Sequence, residues 1–167
     1  MMRYKCLINL RPMWIKYFTT IDGMKNFDQI EDNVYNVMAE VIKKYSDIDF
    51  TFVPFNTDTF GMSDIDAGLR LQSLVSTSGN FQLKYEELDC NQMVKYIRSF
   101  DLAICMRLHA CVFCWAVEIP TFGVEYADKP GKVSDFCDQH NEGNWTLSSK
   151  ISILRLSEFL NENPSNS

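Results

Sequence analysis

Short apolar runs alternate along this chain with stretches in which apolar residues recur every three or four positions. Tyr4 to Leu10 has the length and continuous apolarity of a buried strand. Ile30, Val34, Val37, Met38, Val41, Ile42 and Tyr45 then fall on one helical face, and Asp28 with Glu31 has the spacing of a capping box at its start. A strand over 49–55, rich in Phe and Val, leads to a helix over 64–75 and a weak strand over 81–85. A helix over 89–100 precedes the most apolar strand, 102–106. A helix over 108–117, a strand over 119–124 and helices near 131–140 and 149–161 complete the series.

Strands that alternate with helices over short connections predict the α/β class. The expected form is a Rossmann-like three-layer α/β/α domain with a mainly parallel sheet of about five to six strands. Near-continuous apolarity in the strands suits a sheet covered on both faces. Residues 1–160 read as a single domain and the polar residues 161–167 as a tail. The connection 11–27 is long for this architecture, and Met13, Trp14, Tyr17 and Phe18 within it predict an exposed apolar surface or a lid.

Charge and cysteine usage narrow the classes. A net charge of -6 argues against nucleic-acid binding through a general positive field, so an anionic ligand needs a locally cationic pocket. No run approaches the roughly 20 apolar residues of a membrane helix. Arg11 and Pro12 end the first apolar run too early for a secretory leader. Cys6, Cys105, Cys111 and Cys114 fall inside apolar segments, which predicts buried, reduced thiols and a cytoplasmic protein.

In an open parallel sheet the ligand sits at the carboxyl ends of the strands. Those ends carry Arg11, Asn56, Arg107, His109, Glu125, Tyr126 and Lys129. Arg107 and His109 also open a helix, whose free N–H groups and dipole favour an anion. Two arginines suit bidentate recognition of carboxylate or phosphate. A lone histidine is more often a hydrogen-bonded core residue, but the convergence of four strand ends favours a site. Cys105, His109, Cys111 and Cys114 are zinc-type ligands, yet a strand-to-helix corner converges them poorly, so no metal is expected. There is no G-x-G-x-x-G, Walker A or G-x-S-x-G sequence.

Arg107-Leu-His109-Ala after Asp101-Leu-Ala-Ile, followed by Ile119-Pro120-Thr-Phe-Gly123-Val-Glu-Tyr126-Ala-Asp-Lys129, resembles the C-terminal signature of the polysaccharide pyruvyl transferase family. Arg11-Pro12 after the opening strand, and Phe52-Val-Pro54-Phe55 leading into Asp58, extend the likeness over roughly residues 4–140. Glu118 stands where the family has a glycine, and Asn56 where a histidine is common. Members run to about twice this length and resemble GT-B enzymes, with a cleft between two Rossmann-like domains. This chain looks like the C-terminal one.

The resemblance implies transfer of pyruvate from phosphoenolpyruvate to two sugar hydroxyls, giving a ketal in polysaccharide biosynthesis. It implies catalytic roles for His109 as acid or a further phosphate contact, Arg107 as anion ligand and Glu125 as base. Arg11, Asn56, Tyr126 and Lys129 would bind substrate, with no cofactor beyond the phosphoenolpyruvate donor. A sugar or glycan is the implied acceptor, and a separate N-terminal domain or a second copy is the expected partner. Two alternatives remain: half of a GT-B glycosyltransferase using a nucleotide sugar, and a non-catalytic domain that binds a partner.

Overall fold

The computed structural model describes residues 3–58 and 63–163. Its strands are β1 (Tyr4–Asn9), β2 (Ile48–Phe52), β3 (Phe81–Leu83), β4 (Leu102–Cys105), β5 (Thr121–Glu125) and β6 (Trp145–Leu147). They form one sheet in the order β3-β2-β1-β4-β5-β6, with every pair parallel. The helices among the described residues are α1 (Ile21–Lys25), α2 (Phe27–Lys44), α3 (Asp64–Leu74), α4 (Cys90–Ile97), α5 (Leu108–Ala116), α6 (Lys132–His140) and α7 (Ile153–Glu162).

Alternation along each strand divides the core in two. Cys6, Ile8 and Leu10 of the first strand segment pack with Phe50, Phe52, α2, α3 and α7. Leu7 turns to the other face with Ala103 and Cys105, under α4, α5 and α6. Both faces are therefore covered, which is why the strands lack a polar side. The chain winds outward through β1, β2 and β3, then crosses to β4 and winds the other way. The order thus reverses between β1 and β4, and the crevice of a doubly wound sheet opens at their carboxyl ends.

Several local expectations are corrected. Asp28 and Glu31 do not cap α2: the helix begins at Phe27, directly after α1, and its cap residue Asn26 makes no side-chain cap bond. The capping box instead starts α4, where Gln92 N donates to Asp89 Oδ1 at 2.8 Å and Asp89 N to Gln92 Oε1 at 3.0 Å. The segment 11–27 is folded over the core. Met13 and Phe18 are buried, at 5% and 2% exposure, so they belong to the core and not to an open surface. Ile15, Ile21 and Met24 are the exposed apolar side chains there.

β6 has no signal in the sequence, because three residues of which only Thr146 is buried carry too little periodicity to mark a strand. The final helix is also shorter than 149–161: Ser148–Lys150 form one 3₁₀ turn, and Ser152 caps α7 by accepting from Arg155 N at 3.3 Å. Asn161 and Glu162 continue α7 rather than begin a tail, and residues 164–167 lie outside the described residues.

Helices α5 and α6 both run into left-handed backbone carried by a glutamate, Glu118 (φ 64°) and Glu142 (φ 55°). The left-handed conformation costs an L-residue roughly 1–2 kcal/mol, and glycine avoids that cost. Glu118 is the position where the resembled family carries glycine, the residue for which this backbone form has no such cost.

Candidate active site

Three strand ends are tied together by one buried carboxylate. Asp64, in the first turn of α3, is fully buried. Its Oδ2 accepts from Asn9 Nδ2 at 3.1 Å, Phe55 N at 2.9 Å and Asn56 N at 3.2 Å. Arg107 Nε lies 2.8 and 2.9 Å from its two oxygens, and Arg107 Nη2 lies 2.6 Å from Oδ1. This is a side-on pairing of guanidinium with carboxylate, the stronger geometry for such a pair. Asn9 completes the knot, since its Nδ2 donates to Val53 O at 3.0 Å and its Oδ1 accepts from Arg107 N at 3.2 Å. The ends of β1, β2 and β4 are therefore fixed by two residues, Asn9 and Asp64, that are not among the expected site residues. Asn9 had a signal: an amide closing an apolar strand must find buried partners. Asp64 had none beyond its place at a helix start.

Arg11 occupies the same edge in a different way. It is 6% exposed, and its side chain reaches past the end of β4 to lie 4.4 Å over the Tyr126 ring and 5.2 Å from the Tyr17 ring. Tyr17 and Tyr126 meet edge to face at 5.1 Å, so the guanidinium sits in an aromatic corner. Its Nε makes one long contact of 3.4 Å to Pro12 O, and its buried Nη2 has no hydrogen-bond partner among the described residues. A buried cationic donor left without an acceptor is rare and costly.

The corner is clamped from β5. Asp128 Oδ2 accepts from Thr19 N at 2.8 Å, Thr20 N at 2.6 Å and Thr20 Oγ1 at 2.7 Å. Partial desolvation raises the Asp128 pKa, but these hydrogen bonds outweigh it and hold the carboxyl below its ordinary value. A side chain at Gly23 would meet Asp128 Oδ2 at 2.6 Å, so this close approach requires glycine.

The remaining expected residues separate. His109 is exposed on the first turn of α5 and makes no hydrogen bond among the described residues, so it is not a core histidine. Glu125 is 2% exposed and faces α6, where its Oε2 accepts from Val133 N at 3.0 Å, Ser134 N at 3.1 Å and Ser134 Oγ at 3.3 Å. It closes the start of that helix. Gly123 makes room for it: a Cβ there would meet Cys137 Sγ at 2.6 Å and Val133 Cγ1 at 2.9 Å. Asn56 turns its Oδ1 back to Asp58 N at 2.8 Å, an Asx turn at the end of β2. Lys129 is exposed beyond Tyr126. Among the described residues no group of three His, Cys, Asp or Glu side chains is arranged to hold a metal. Cys105, Cys111 and Cys114 are buried while His109 points to solvent, so the zinc-type set does not converge.

Residues 15–128, more than half of the chain, match the family described as polysaccharide pyruvyl transferase. The chain belongs to that family. The match spans the clamp, the Asp64–Arg107 pair, His109 and Tyr126, and stops just before Lys129. No curated protein sequence matches the chain. Among solved structures it resembles the E. coli heptosyltransferase WaaC with ADP, at 11% identity and a TM-score of 0.60, over 97% of this chain and 44% of that one. It also resembles the trehalose-6-phosphate synthase OtsA, at 11% identity and a TM-score of 0.58, over 99% of this chain and 36% of that one. At such identity the likeness concerns the fold: a six-stranded parallel α/β domain equivalent to about half of a GT-B enzyme. The chain spans less than half the length of either structure. No helix among the described residues is long and apolar enough to cross a membrane.

Proposed function

We propose that this chain is the donor-binding half of an enzyme that transfers pyruvate from phosphoenolpyruvate to two hydroxyls of a sugar. The observation that carries the reading is Arg11: a buried guanidinium, framed by Tyr17 and Tyr126, with an N–H that lacks a protein acceptor. An anion at the β1–β4 switch point satisfies it. The first turn of α5 begins one strand away and adds free N–H groups, so a carboxylate and a phosphate of one small molecule both find donors.

The reaction needs a proton at the methylene carbon of the donor and two additions at its central carbon. In the proposed course an acid protonates the methylene to a methyl group as the first sugar oxygen bonds to the central carbon. The second sugar oxygen then displaces phosphate from that carbon. The first hydroxyl proton balances the one given to the methyl group, and the second leaves with phosphate. His109 is the candidate acid, since it is an exposed imidazole on the first turn of α5 at this edge, and a ring N–H within reach of the donor can deliver a proton. Glu125 is not assigned as base, because its carboxylate already holds the start of α6. Asn56, Tyr126 and Lys129 remain rim contacts. Acceptor residues and closure of the cleft would come from a second domain or partner chain.

A second reading has one specific support, the fold likeness to two GT-B glycosyltransferases. In that case the same edge receives a nucleotide sugar. Thermal shift with the full chain separates the two. Phosphoenolpyruvate should raise the unfolding midpoint, ADP and nucleotide sugars should not, and Arg11→Ala should abolish the effect. Stabilisation by nucleotide sugars alone would overturn the pyruvyl reading, and so would an Arg11→Ala chain that responds to phosphoenolpyruvate as the parent does.

A further inference from the structure

The opposite edge of the sheet carries a second concavity. A cavity of about 340 Å³ lies at the amino-terminal end of β5, lined by Trp115, Pro120, His140, Asn141, Glu142 and Asn144, with Glu118 at its side. Trp115 is 44% exposed, yet its ring is not loose. It meets Phe136 edge to face at 6.0 Å and 89°, and His140 at 4.9 Å and 73°. His140 is held in turn, stacked on Phe136 at 4.6 Å with Nδ1 3.1 Å from Phe136 O. The loop beneath is fixed by Asn141 N and Gly143 N, which both donate to Cys137 O, at 2.8 and 3.1 Å. A rigid, exposed indole at the mouth of a pocket is a stacking surface that needs no reordering on binding.

The rest of the lining decides what stacks there. The side-chain amide of Asn144 and the carboxylates of Glu118 and Glu142 are planar donors and acceptors, matched to neighbouring hydroxyls, while Asn141 donates from Nδ2 to Cys137 Sγ at 3.7 Å. Helices α5 and α6 both end at this cavity, and their negative dipole ends add to the two carboxylates. An anionic ligand is therefore repelled. A flat molecule with one C–H face and a rim of hydroxyls, and no negative charge, suits the indole, the amide and the carboxylates.

We propose that this pocket binds an uncharged sugar unit, stacked on Trp115. It is separate from the phosphoenolpyruvate site, at the other end of a five-residue strand. It also goes beyond that reading, which rests on Arg11. Its usefulness to a pyruvyl transferase follows from charge: an unmodified glycan is retained and a pyruvylated, anionic one is not.

The test follows the indole N–H resonances of the full ¹⁵N-labelled chain, whose three tryptophans are assigned by Trp→Phe variants. The probes are the neutral methyl glycosides of galactose, glucose and mannose, methyl glucuronide as the anion, and tetramethylammonium as the cation. At least one neutral glycoside should move the Trp115 signal saturably while leaving Trp14 in place, and methyl glucuronide should not. Trp115→Ala should weaken that binding by about tenfold or more while phosphoenolpyruvate still stabilises the chain. The Glu118→Gln, Glu142→Gln double variant, which keeps the shape, should admit the glucuronide. The proposal is overturned if Trp115 responds to no glycoside, responds equally to the glucuronide in the parent chain, or responds to tetramethylammonium alone. None of these results bears on the Arg11 site, whose own failure would likewise leave this pocket standing.

Discussion

Arg107 and Arg11 stand on neighbouring strands, each two residues beyond the last paired positions, Asn9 and Cys105, and yet they do opposite things. Arg107 is bound side-on to a fully buried aspartate that also gathers donors from the ends of β1 and β2. Arg11 is buried to a similar depth against two tyrosine rings and keeps an N–H without a protein acceptor. The first arrangement fixes the crevice; the second leaves it with something to bind. Counting arginines at a strand end does not distinguish them, whereas tracing the partner of each N–H does.

Removing the carboxylate tests this contrast most severely. Asp64→Ala takes the carboxylate from beside the Arg107 guanidinium and removes the acceptor of the Phe55 and Asn56 N–H groups, while Asn9 keeps its bonds to Val53 O and Arg107 N. A loss of about 3–5 kcal/mol is expected in urea unfolding. A loss near zero would mean that Arg107 swings out to solvent and that the knot does not organise the edge.

The matching change on the other side is Arg11→Met, which keeps an unbranched chain between the tyrosines and removes the unpartnered charge. Stability should stay within about 1 kcal/mol of the parent, or rise, because no protein hydrogen bond of normal length is lost. Phosphoenolpyruvate should no longer raise the unfolding midpoint. If Arg11→Met were as damaging as Asp64→Ala, Arg11 would be a second structural pin and the contrast would collapse.

The fold was largely legible because β1, β2, β4 and β5 are runs too apolar to be anything but doubly covered strands, with helices at regular spacing between them. β6 was hidden: Trp145-Thr-Leu is short and half-buried, and its pairing with β5 is set by tertiary contact. Met13 and Phe18 were misplaced because an irregular segment has no period from which to read an inside. At the site, parallel strands bring their ends to one edge, which is why the sequence places Arg11, Tyr126 and Arg107 on the same edge, and Arg11 does lie over the Tyr126 ring. The function of Glu125 was not legible, since it depends on α6 descending onto Gly123. The importance of Asp64 was hidden too, because its four partner residues lie 8 to 55 positions away in sequence.

The gentlest test acts through the clamp that holds Arg11's corner closed. The Asp128 carboxyl is held below its ordinary value of 3.8: partial desolvation pushes it up, and the bonds from Thr20 and Thr19 more than reverse this. The folded chain therefore takes up this proton less readily than the unfolded one. The clamp contributes fully above the ordinary value and is lost as the pH falls through the depressed one. Hydrogen exchange of residues 15–26, corrected for the intrinsic rate at each pH, should show protection that is flat near neutrality and falls in that acid window. Asp128→Ala should give the low-pH behaviour at neutral pH, a severalfold loss of protection confined to this segment, with Asn9 and Arg107 amides unaffected. Protection that spread to the Asp64 knot would show that the two arginine environments are one cooperative unit, and that the crevice cannot open at Arg11 without releasing Arg107.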